Sequence, residues 1–242
     1  MSETPVALVT GAGTGIGAAI AKSLAEEGFR VGVHYRSSEA GAREVAEKLP
    51  DAFLVKGDLA ETEQIDAMIK QIKEEAGRVD VLVNNAGYNV NGLTPAMSIA
   101  DYDAVTAIER GTWYLTKLVL RRFMLRQKAG RIINITSVVG HTGNPGQVPY
   151  TMAKAGLEAM TRSLSQEMAG RAILVNSVAP GFIDTDMTEE LPEEIRAGIL
   201  SRIPLARMGA AEEVADAVSW LATRASYVNG TVIHVNGGMY GG

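Results

Sequence analysis

Short apolar runs alternate with longer amphipathic stretches along most of this chain. The apolar runs are rich in β-branched side chains and predict strands at residues 6–10, 30–35, 52–56, 79–84, 131–136, 173–179 and 231–235. The amphipathic stretches between them predict helices at residues 16–27, 38–49, 62–76, 101–127, 149–169 and 211–223. Several of the runs are almost wholly apolar, which is typical of strands buried on both faces of a parallel sheet.

This order of elements predicts an α/β fold. Alternating strands and helices form βαβ units, and seven strands of this kind build a Rossmann-type doubly wound parallel sheet with helices on both faces. A chain of 242 residues with 46% hydrophobic content is long enough for one such domain, so we expect residues 1–242 to form a single domain. Residues 184–207 break the alternation with four glutamates, and they predict either a flap over a site or a solvated helical excursion.

Composition excludes several classes of function. The chain has no cysteine, which rules out a disulfide framework and a thiolate metal site, and its three scattered histidines do not make a metal site either. A formal net charge of -5 gives no footprint for nucleic acid, and no apolar run is long enough to span a bilayer. The first residues lack the basic and apolar segments of a secretory signal. We therefore expect a cytoplasmic protein that acts on a small molecule.

A glycine-rich turn stands between the first predicted strand and the first predicted helix. It consists of Thr10-Gly11-Ala12-Gly13-Thr14-Gly15-Ile16-Gly17. Glycines permit a tight turn and a close approach of the backbone to a pyrophosphate, and the N-terminus of the following helix favours an anion. The turn therefore predicts a dinucleotide site, with a purely structural turn as the alternative.

The end of the second predicted strand indicates which dinucleotide would bind. An NAD-selective site usually carries Asp or Glu there, whereas the 2′-phosphate of NADP needs a cation and hydroxyl donors. This chain has Arg36, Ser37 and Ser38 at that place and no carboxylate. We therefore expect NADP(H), with Arg36 as an ordinary solvated residue as the alternative.

Ser137, Tyr150 and Lys154 form a second motif, Ser-x12-Tyr-x3-Lys. Positions four apart on a helix share a face, which would place the ammonium of Lys154 beside the phenol of Tyr150. A fixed cation favours the phenolate over a phenol of pKa ~10, and Ser137 could donate a hydrogen bond to a carbonyl. The motif therefore predicts catalytic residues for the reduction of a ketone, with a surface pair and a strand-end cap as the alternative.

These motifs resemble those of the short-chain dehydrogenase/reductase family, and the resemblance covers essentially the whole chain. Gly57-Asp58-Leu59, Asn84-Asn85-Ala86-Gly87 and Pro180-Gly181 extend it. The resemblance implies that Asp58 and Leu59 flank the adenine of the cofactor. Together with the reasoning from the residues, it gives the expected cofactor contacts as Gly11, Gly13, Thr14, Gly15, Ile16, Gly17, Tyr35, Arg36, Ser37, Asp58, Leu59, Asn85, Ala86, Gly87, Tyr150, Lys154, Pro180, Gly181, Ile183 and Thr185.

Within the family, the chain is most similar to the β-ketoacyl-acyl-carrier-protein reductases. Ser137-Val138-Val139-Gly140, residues 178–187 and the ending Val235-Asn236-Gly237-Gly238 carry this likeness. It implies NADPH-dependent reduction of a 3-oxoacyl thioester, bound to acyl carrier protein, in the synthesis of fatty acids or related acyl chains. The alternative within enzymes is an NADP-dependent dehydrogenase for another alcohol or ketone, such as a polyketide, a steroid or a sugar.

The same likeness implies two kinds of partner. An acidic carrier protein needs a basic landing site, which Arg121, Arg122, Arg126, Lys128, Arg131 and Arg171 could form, or these residues are simply a solvated helix end. Relatives pair their subunits into a homotetramer along the long helix that holds Trp113 and Tyr114 here. The alternative for these two aromatic residues is packing in the core.

One departure from the family pattern concerns the proton relay. Relatives usually carry Asn-x-x-Gly in the helix before the fifth strand, whereas residues 103–111 contain no Asn and look slightly short. That Asn is thought to hold a water that links the lysine to solvent. Either Glu109 substitutes for it or the helix is distorted, and weakened catalysis or a protein that only binds the cofactor would follow.

Overall fold

A seven-stranded parallel sheet is the centre of the computed structural model, which describes residues 4–184 and 193–241. Its strands are β1 (Val6–Val9), β2 (Arg30–Tyr35), β3 (Ala52–Lys56), β4 (Val81–Asn84), β5 (Gly130–Ile135), β6 (Ile173–Pro180) and β9 (Val232–Val235). They lie in the order β3-β2-β1-β4-β5-β6-β9. A separate parallel pair joins β7 (Ile183–Asp184) to β8 (Gly209–Ala210).

Helices connect the strands. They are α1 (Gly15–Glu26), α2 (Glu39–Glu47), α3 (Thr62–Glu75), α4 (Ile99–Val119), α5 (Leu125–Gln127), α6 (Val139–Thr142), α7 (Val148–Met168), α8 (Glu193–Leu200) and α9 (Ala211–Thr223). Short 3-10 turns lie at Thr94–Ala96 and Ala169–Arg171, and a π-helical turn at Leu120–Met124 continues α4. No helix among the described residues is both long enough and apolar enough to cross a membrane.

Each face of the sheet carries its own apolar core. Leu8 and Val9 are adjacent in β1 and fully buried, and they point to opposite faces as strand alternation requires. Val9 packs in the core that includes Leu24 of α1, whereas Leu8 packs in the core that includes Ile72 of α3 and Leu115 of α4. Helices therefore cover both faces, and the predicted Rossmann-type doubly wound fold in a single domain is confirmed.

A network of buried polar side chains runs across β4, β5 and β6. The Asn84 amide donates to Thr116 Oγ1 at 2.9 Å and to Asn134 Oδ1 at 2.8 Å. Asn134 in turn donates to Thr161 Oγ1 at 2.7 Å, and the Thr161 and Ser177 hydroxyls are 2.7 Å apart. All five residues are buried, so these bonds satisfy groups that would otherwise carry a full desolvation cost.

The strand order determines where a ligand can bind. β1 has β2 on one side and β4 on the other, so the connections diverge between β1 and β4 and leave a crevice at the carboxyl ends of the strands. The glycine-rich turn follows β1, Asn85 follows β4 and Ser137 follows β5. All three predicted motifs consequently meet at one edge of the sheet.

Most predicted ends lie within two residues of the observed ones. The predicted helix 101–127 differs, because its last turns include the π-helical turn, which buries Leu120, Phe123 and Met124 while Arg121 and Arg122 stay exposed. α6 and the β7–β8 pair were not predicted. Within the predicted flap at 184–207, residues 185–192 lie outside the described residues, and α8 occupies part of the remainder.

Candidate active site

The glycine-rich turn closes against the segment that follows β4. Gly11 has a φ of +63°, and a Cβ at Gly17 would collide with the Gly11 carbonyl oxygen. The Asn85 amide donates to the carbonyl oxygens of Thr10 at 2.9 Å and of Gly11 at 3.1 Å. Thr10 Oγ1 accepts from the backbone N–H groups of Asn85 and Ala86. Asn85, which was predicted to line the cofactor cleft, therefore also holds the turn in place.

His34 ties the same turn to the strands beside it. Its Nδ1 accepts from the N–H of Gly11 at 3.0 Å, and its Nε2 donates to the carbonyl of Gly57 at 3.0 Å. Both bonds require the neutral ring with its proton on Nε2. Burial lowers the pKa of His34 to about 4, although the Gly57 carbonyl and Asp58 act in the opposite direction. Sequence reasoning gave His34 no role, and its polar side chain inside an otherwise apolar strand was the available signal.

Ser137, Tyr150 and Lys154 lie together at the carboxyl end of β5. Ser137 follows this strand, whereas Tyr150 and Lys154 are one turn apart in α7, which has Pro149 in its first turn. A side-chain hydrogen bond links Ser137 to Tyr150. Lys154 Nζ lies 5.5 Å from the centroid of the Tyr150 ring. The structure thus places the phenol and the ammonium on one helix face, as their spacing predicted.

Burial has the largest effect on the pKa values of Tyr150 and Lys154. Lys154 is buried, its Nζ donates to the Ile135 carbonyl at 2.8 Å, and desolvation lowers its pKa to about 8 against the opposing effect of Glu109. Burial also raises the pKa of Tyr150, and the hydrogen bond from Ser137 opposes this with a smaller effect. In the chain alone, Tyr150 is therefore a neutral phenol at pH 7, as a proton donor should be. This direction is opposite to the one that the sequence predicted for the Tyr150 pKa, because burial has the largest effect on it.

A cavity of about 490 Å³ connects the trio with the glycine-rich turn. This volume is in the range of sites for small ligands and cofactors. The predicted residues on its wall are Gly11, Thr14, Gly15, Ile16, Gly17, Arg36, Asp58, Leu59, Asn85, Ala86, Gly87, Ser137, Tyr150, Lys154, Pro180 and Gly181. The wall also contains residues that the sequence did not single out for the site, namely His34, Gly57, Tyr88, Asn89, Ile108, Ile135 and Thr136.

Two predicted contact residues, Gly13 and Tyr35, contact α2 and are not part of the cavity wall. Gly13 packs against α2, where an added Cβ would lie 3.2 Å from the backbone nitrogen of Ala42. Tyr35 is buried at the end of β2, and its hydroxyl is hydrogen bonded to Glu39 of α2. Neither residue is part of the cavity wall, and their contact with the cofactor stays a prediction.

The remaining predicted contacts have three different outcomes. Ser37 is exposed just after β2 but does not line the cavity. Ile183 is buried in β7, because the small β7–β8 pair packs its side chain inward. Thr185 lies outside the described residues.

Arg36 is part of the cavity wall, just after the end of β2. Its guanidinium lies 5.9 Å from the centroid of the Tyr88 ring, and the residue is exposed. Among the described residues, Arg36 has no ion-pair partner within 4.0 Å. A planar guanidinium without a carboxylate partner suits a phosphate group, which agrees with the choice of NADP made from the sequence.

The segment that lacks the usual Asn is part of a regular helix. Ser98 and Asp101 form a capping box at the start of α4, which then continues without interruption to Val119. Ile108 lines the main cavity, whereas the Glu109 carboxylate lies against Gly156 of α7. A distorted helix is therefore not the explanation for the missing Asn, and Glu109 is the polar side chain at this place.

Comparison with known proteins gives matches over almost the whole chain. A family model described as enoyl-(acyl carrier protein) reductase matches residues 11–240. The 3-oxoacyl-[acyl-carrier-protein] reductase of Staphylococcus aureus is 44% identical over 246 residues, which cover 99% of this chain and 100% of the relative. The proteins of the same name from Haemophilus influenzae and Aquifex aeolicus are each 46% identical, with 97% of this chain covered and 98% and 97% of the relatives.

Acid should destabilise the protein through His34. Its folded pKa of about 4 lies below the ordinary histidine value of 6.5, so the unfolded chain binds more protons between these values and stability falls as the pH falls through this window. We expect wild type to lose roughly 2 kcal/mol more free energy of unfolding than His34→Gln between pH 7 and pH 5. Urea unfolding at each pH measures this difference, and parallel pH curves for the two proteins would contradict it.

Proposed function

Because the chain belongs to the short-chain dehydrogenase/reductase family, we propose that it uses NADPH to reduce a 3-oxoacyl thioester, bound to acyl carrier protein, to the 3-hydroxyacyl thioester. The observation that carries this proposal is the trio of Ser137, Tyr150 and Lys154 in one cavity with the glycine-rich turn. The relatives named 3-oxoacyl-[acyl-carrier-protein] reductase support the substrate class, since they match over nearly their full lengths. The activity is that of an NADP-dependent oxidoreductase in the synthesis of fatty acids or related acyl chains.

Ser137, Tyr150 and Lys154 have different roles in the reduction of the carbonyl group. Ser137 donates a hydrogen bond to this oxygen and holds it beside Tyr150. When bound, NADPH supplies a hydride to the carbonyl carbon. Tyr150 then breaks its O–H bond and gives the proton to the oxygen, which becomes the hydroxyl of the product. The nearby Lys154 ammonium stabilises the phenolate that remains.

The glycine-rich turn and Arg36, which line the same cavity, fit a dinucleotide with a 2′-phosphate. The Thr14 side chain makes no capping bond at the start of α1, so the amides of the first turn are available to a pyrophosphate. A Cβ at Gly17 would collide with the carbonyl of Gly11 and with Asn85, so this close packing depends on glycine. Arg36 supplies the cation for the 2′-phosphate.

The name of the family model suggests a second candidate, the reduction of the carbon–carbon double bond of an enoyl thioester. That reaction places its new proton on carbon. In this site, the linked hydroxyls of Ser137 and Tyr150 can both reach one oxygen, which favours a carbonyl that becomes an alcohol. Polyketide, steroid and sugar substrates share this carbonyl chemistry, and substrate profiling separates them from the 3-oxoacyl thioester.

Exposed basic residues near the π-helical turn support a surface for an acidic carrier protein. Arg121 and Arg122 lie exposed in that turn, and Arg126, Lys128 and Arg171 are exposed close to it in the chain or in the fold, whereas Arg131 is half-buried. Cations grouped in this way would steer an acidic partner despite the net charge of -5. We include this surface in the proposal as the landing site.

Uncovered apolar side chains on α4 support a homotetramer. Trp113 is 50% exposed and Tyr102 is 37% exposed, and Met152 of α7 is 51% exposed. Apolar groups of this size gain free energy when a second copy covers them. The neighbouring Tyr114 is half-buried, and its hydroxyl donates to Asp66 within the same chain at 3.0 Å.

The location and the flap are the remaining parts of the proposal. We propose a cytoplasmic location, as expected from the sequence, and cell fractionation tests it.

We also propose that residues 184–207 act as a flap beside the substrate. Pro180 and Gly181, just before this segment, line the cavity, which supports its position near the reacting groups.

Tyr150→Phe should remove the proton donor and retain the cofactor site. We expect kcat with acetoacetyl thioester to fall by about 10³-fold, measured by NADPH absorbance, because general acid catalysis contributes factors of this size. Fluorescence titration with NADPH provides the folding and binding control. Turnover that survives the substitution, or a preference for crotonyl thioester over acetoacetyl thioester, would count against the proposed reaction.

Arg36→Ala should weaken the binding of NADPH but not that of NADH. Loss of a charge-assisted bond to the 2′-phosphate should raise KM for NADPH by about tenfold, with little change in KM for NADH. Lys48→Ala is the matched control, because Lys48 is an exposed cation on the surface after α2 and pairs with Glu44. Equal changes in the two KM values would contradict the assignment of Arg36.

Trp113→Glu should weaken the association of subunits, because it places a charge in the proposed apolar interface. Sedimentation analysis should show wild type as a tetramer and the variant as smaller species. Lys48→Glu, at an exposed cation just after α2, controls for the added negative charge. A wild-type chain that sediments as a monomer would remove the tetramer from the proposal.

A further inference from the structure

A second, smaller cavity lies between α4 and α7 beside the trio. Its volume is about 20 Å³, which is enough for roughly one water molecule. Glu109 and Thr112 line it from α4, and Tyr150 and Lys154 line it from α7. The only other titratable side chain in its lining is Tyr88. The cavity therefore brings the buried ammonium and one carboxyl group to the same small polar space.

The position of Glu109 depends on the close approach of the two helices. A Cβ at Gly156 would collide with the Glu109 carboxylate, so the glycine in α7 makes room for it. Glu109 is only partly buried, and one side of it remains accessible to solvent. Among the described residues, no direct ion pair within 4.0 Å joins Glu109 to Lys154. The space between the two groups is therefore large enough for a bridging water.

We propose that Glu109 is the positioning residue through which Lys154 exchanges protons with solvent, by way of one water in this cavity. The inference rests on the proposed reduction, in which each turnover transfers one proton from Tyr150 to the product. Tyr150 regains its proton through Lys154, Lys154 takes one from Glu109 across the water, and Glu109 takes one from solvent. One proton from solvent thus replaces the one that leaves with each molecule of product.

The electrostatics of the pair suit such a relay. Burial raises the pKa of Glu109 while Lys154 lowers it, and burial lowers the pKa of Lys154 to about 8 while Glu109 raises it. Desolvation therefore brings the two proton affinities closer together than they are in water. Proton transfer between groups of similar affinity has a small free-energy difference, which favours fast exchange.

The kinetic test compares the first turnover with the following ones. Glu109→Gln keeps the shape of the side chain but cannot carry the proton, so the first oxidation of NADPH should proceed at the wild-type rate. Steady-state kcat should fall by roughly tenfold with unchanged KM, and Glu109→Asp should restore part of it. Asp103→Asn, an exposed carboxylate on the same helix, is the matched control and should change neither rate. An equal loss in both phases, or no loss in kcat, would overturn the inference.

A second measurement does not depend on any substrate. The titration of Lys154 can be followed by NMR in protein labelled with ¹³C-lysine, with Lys154→Arg to assign the signal. Glu109→Gln should lower the pKa of Lys154 further and Asp103→Asn should leave it unchanged, while thermal unfolding checks that each variant is folded. An unchanged Lys154 titration would overturn the inference. If the titration moves but wild type reduces no 3-oxoacyl thioester, the proposed function fails and the coupling of Glu109 to Lys154 stands.

Discussion

Burial of the Lys154 ammonium is the constraint on which the site depends. A charge taken out of water costs several kcal/mol unless other groups compensate for it. The Ile135 carbonyl at the end of β5 accepts one of its hydrogen bonds, and the Glu109 carboxylate favours the charged form from α4. A strand end, a helix start and a neighbouring helix must therefore meet at one point. The same convergence brings Tyr150 within reach of Ser137.

The rest of the cavity is held together by bonds between segments distant in the chain. Asn85, after β4, holds the glycine-rich turn through two backbone carbonyls. His34, in β2, holds the same turn and the backbone at Gly57. Three loops at the edge of the sheet thus form one body before any ligand binds. In a preformed site of this kind, ligand binding has a smaller entropic cost because the loops are already ordered.

The elements of the fold could be predicted because each one leaves a local pattern. Buried parallel strands are apolar on both faces, and the spacing of Tyr150 and Lys154 defines a shared helix face wherever the helix lies. The direction of the Tyr150 pKa could not be predicted, because the depth of burial is set by segments far away in the chain. His34 escaped notice for the same reason, since its two partners come from the turn after β1 and the end of β3. Gly13 and Tyr35 stand next to cavity-lining residues in the sequence, yet the backbone of Gly13 packs against α2 and the hydroxyl of Tyr35 is hydrogen bonded to Glu39 of that helix.

The polar network across β4, β5 and β6 also limits how this chain can diverge. Asn134 donates to Thr161 and accepts from Asn84, so replacing it alone leaves a donor and an acceptor unpaired in the interior. An apolar exchange becomes neutral only when the partners on the adjoining strand and helix change with it. At these positions, a change to apolar side chains is therefore tolerated only when the partners change together. Whether a substitution of Asn134 is acceptable depends on which residues already occupy the partner positions 84 and 161.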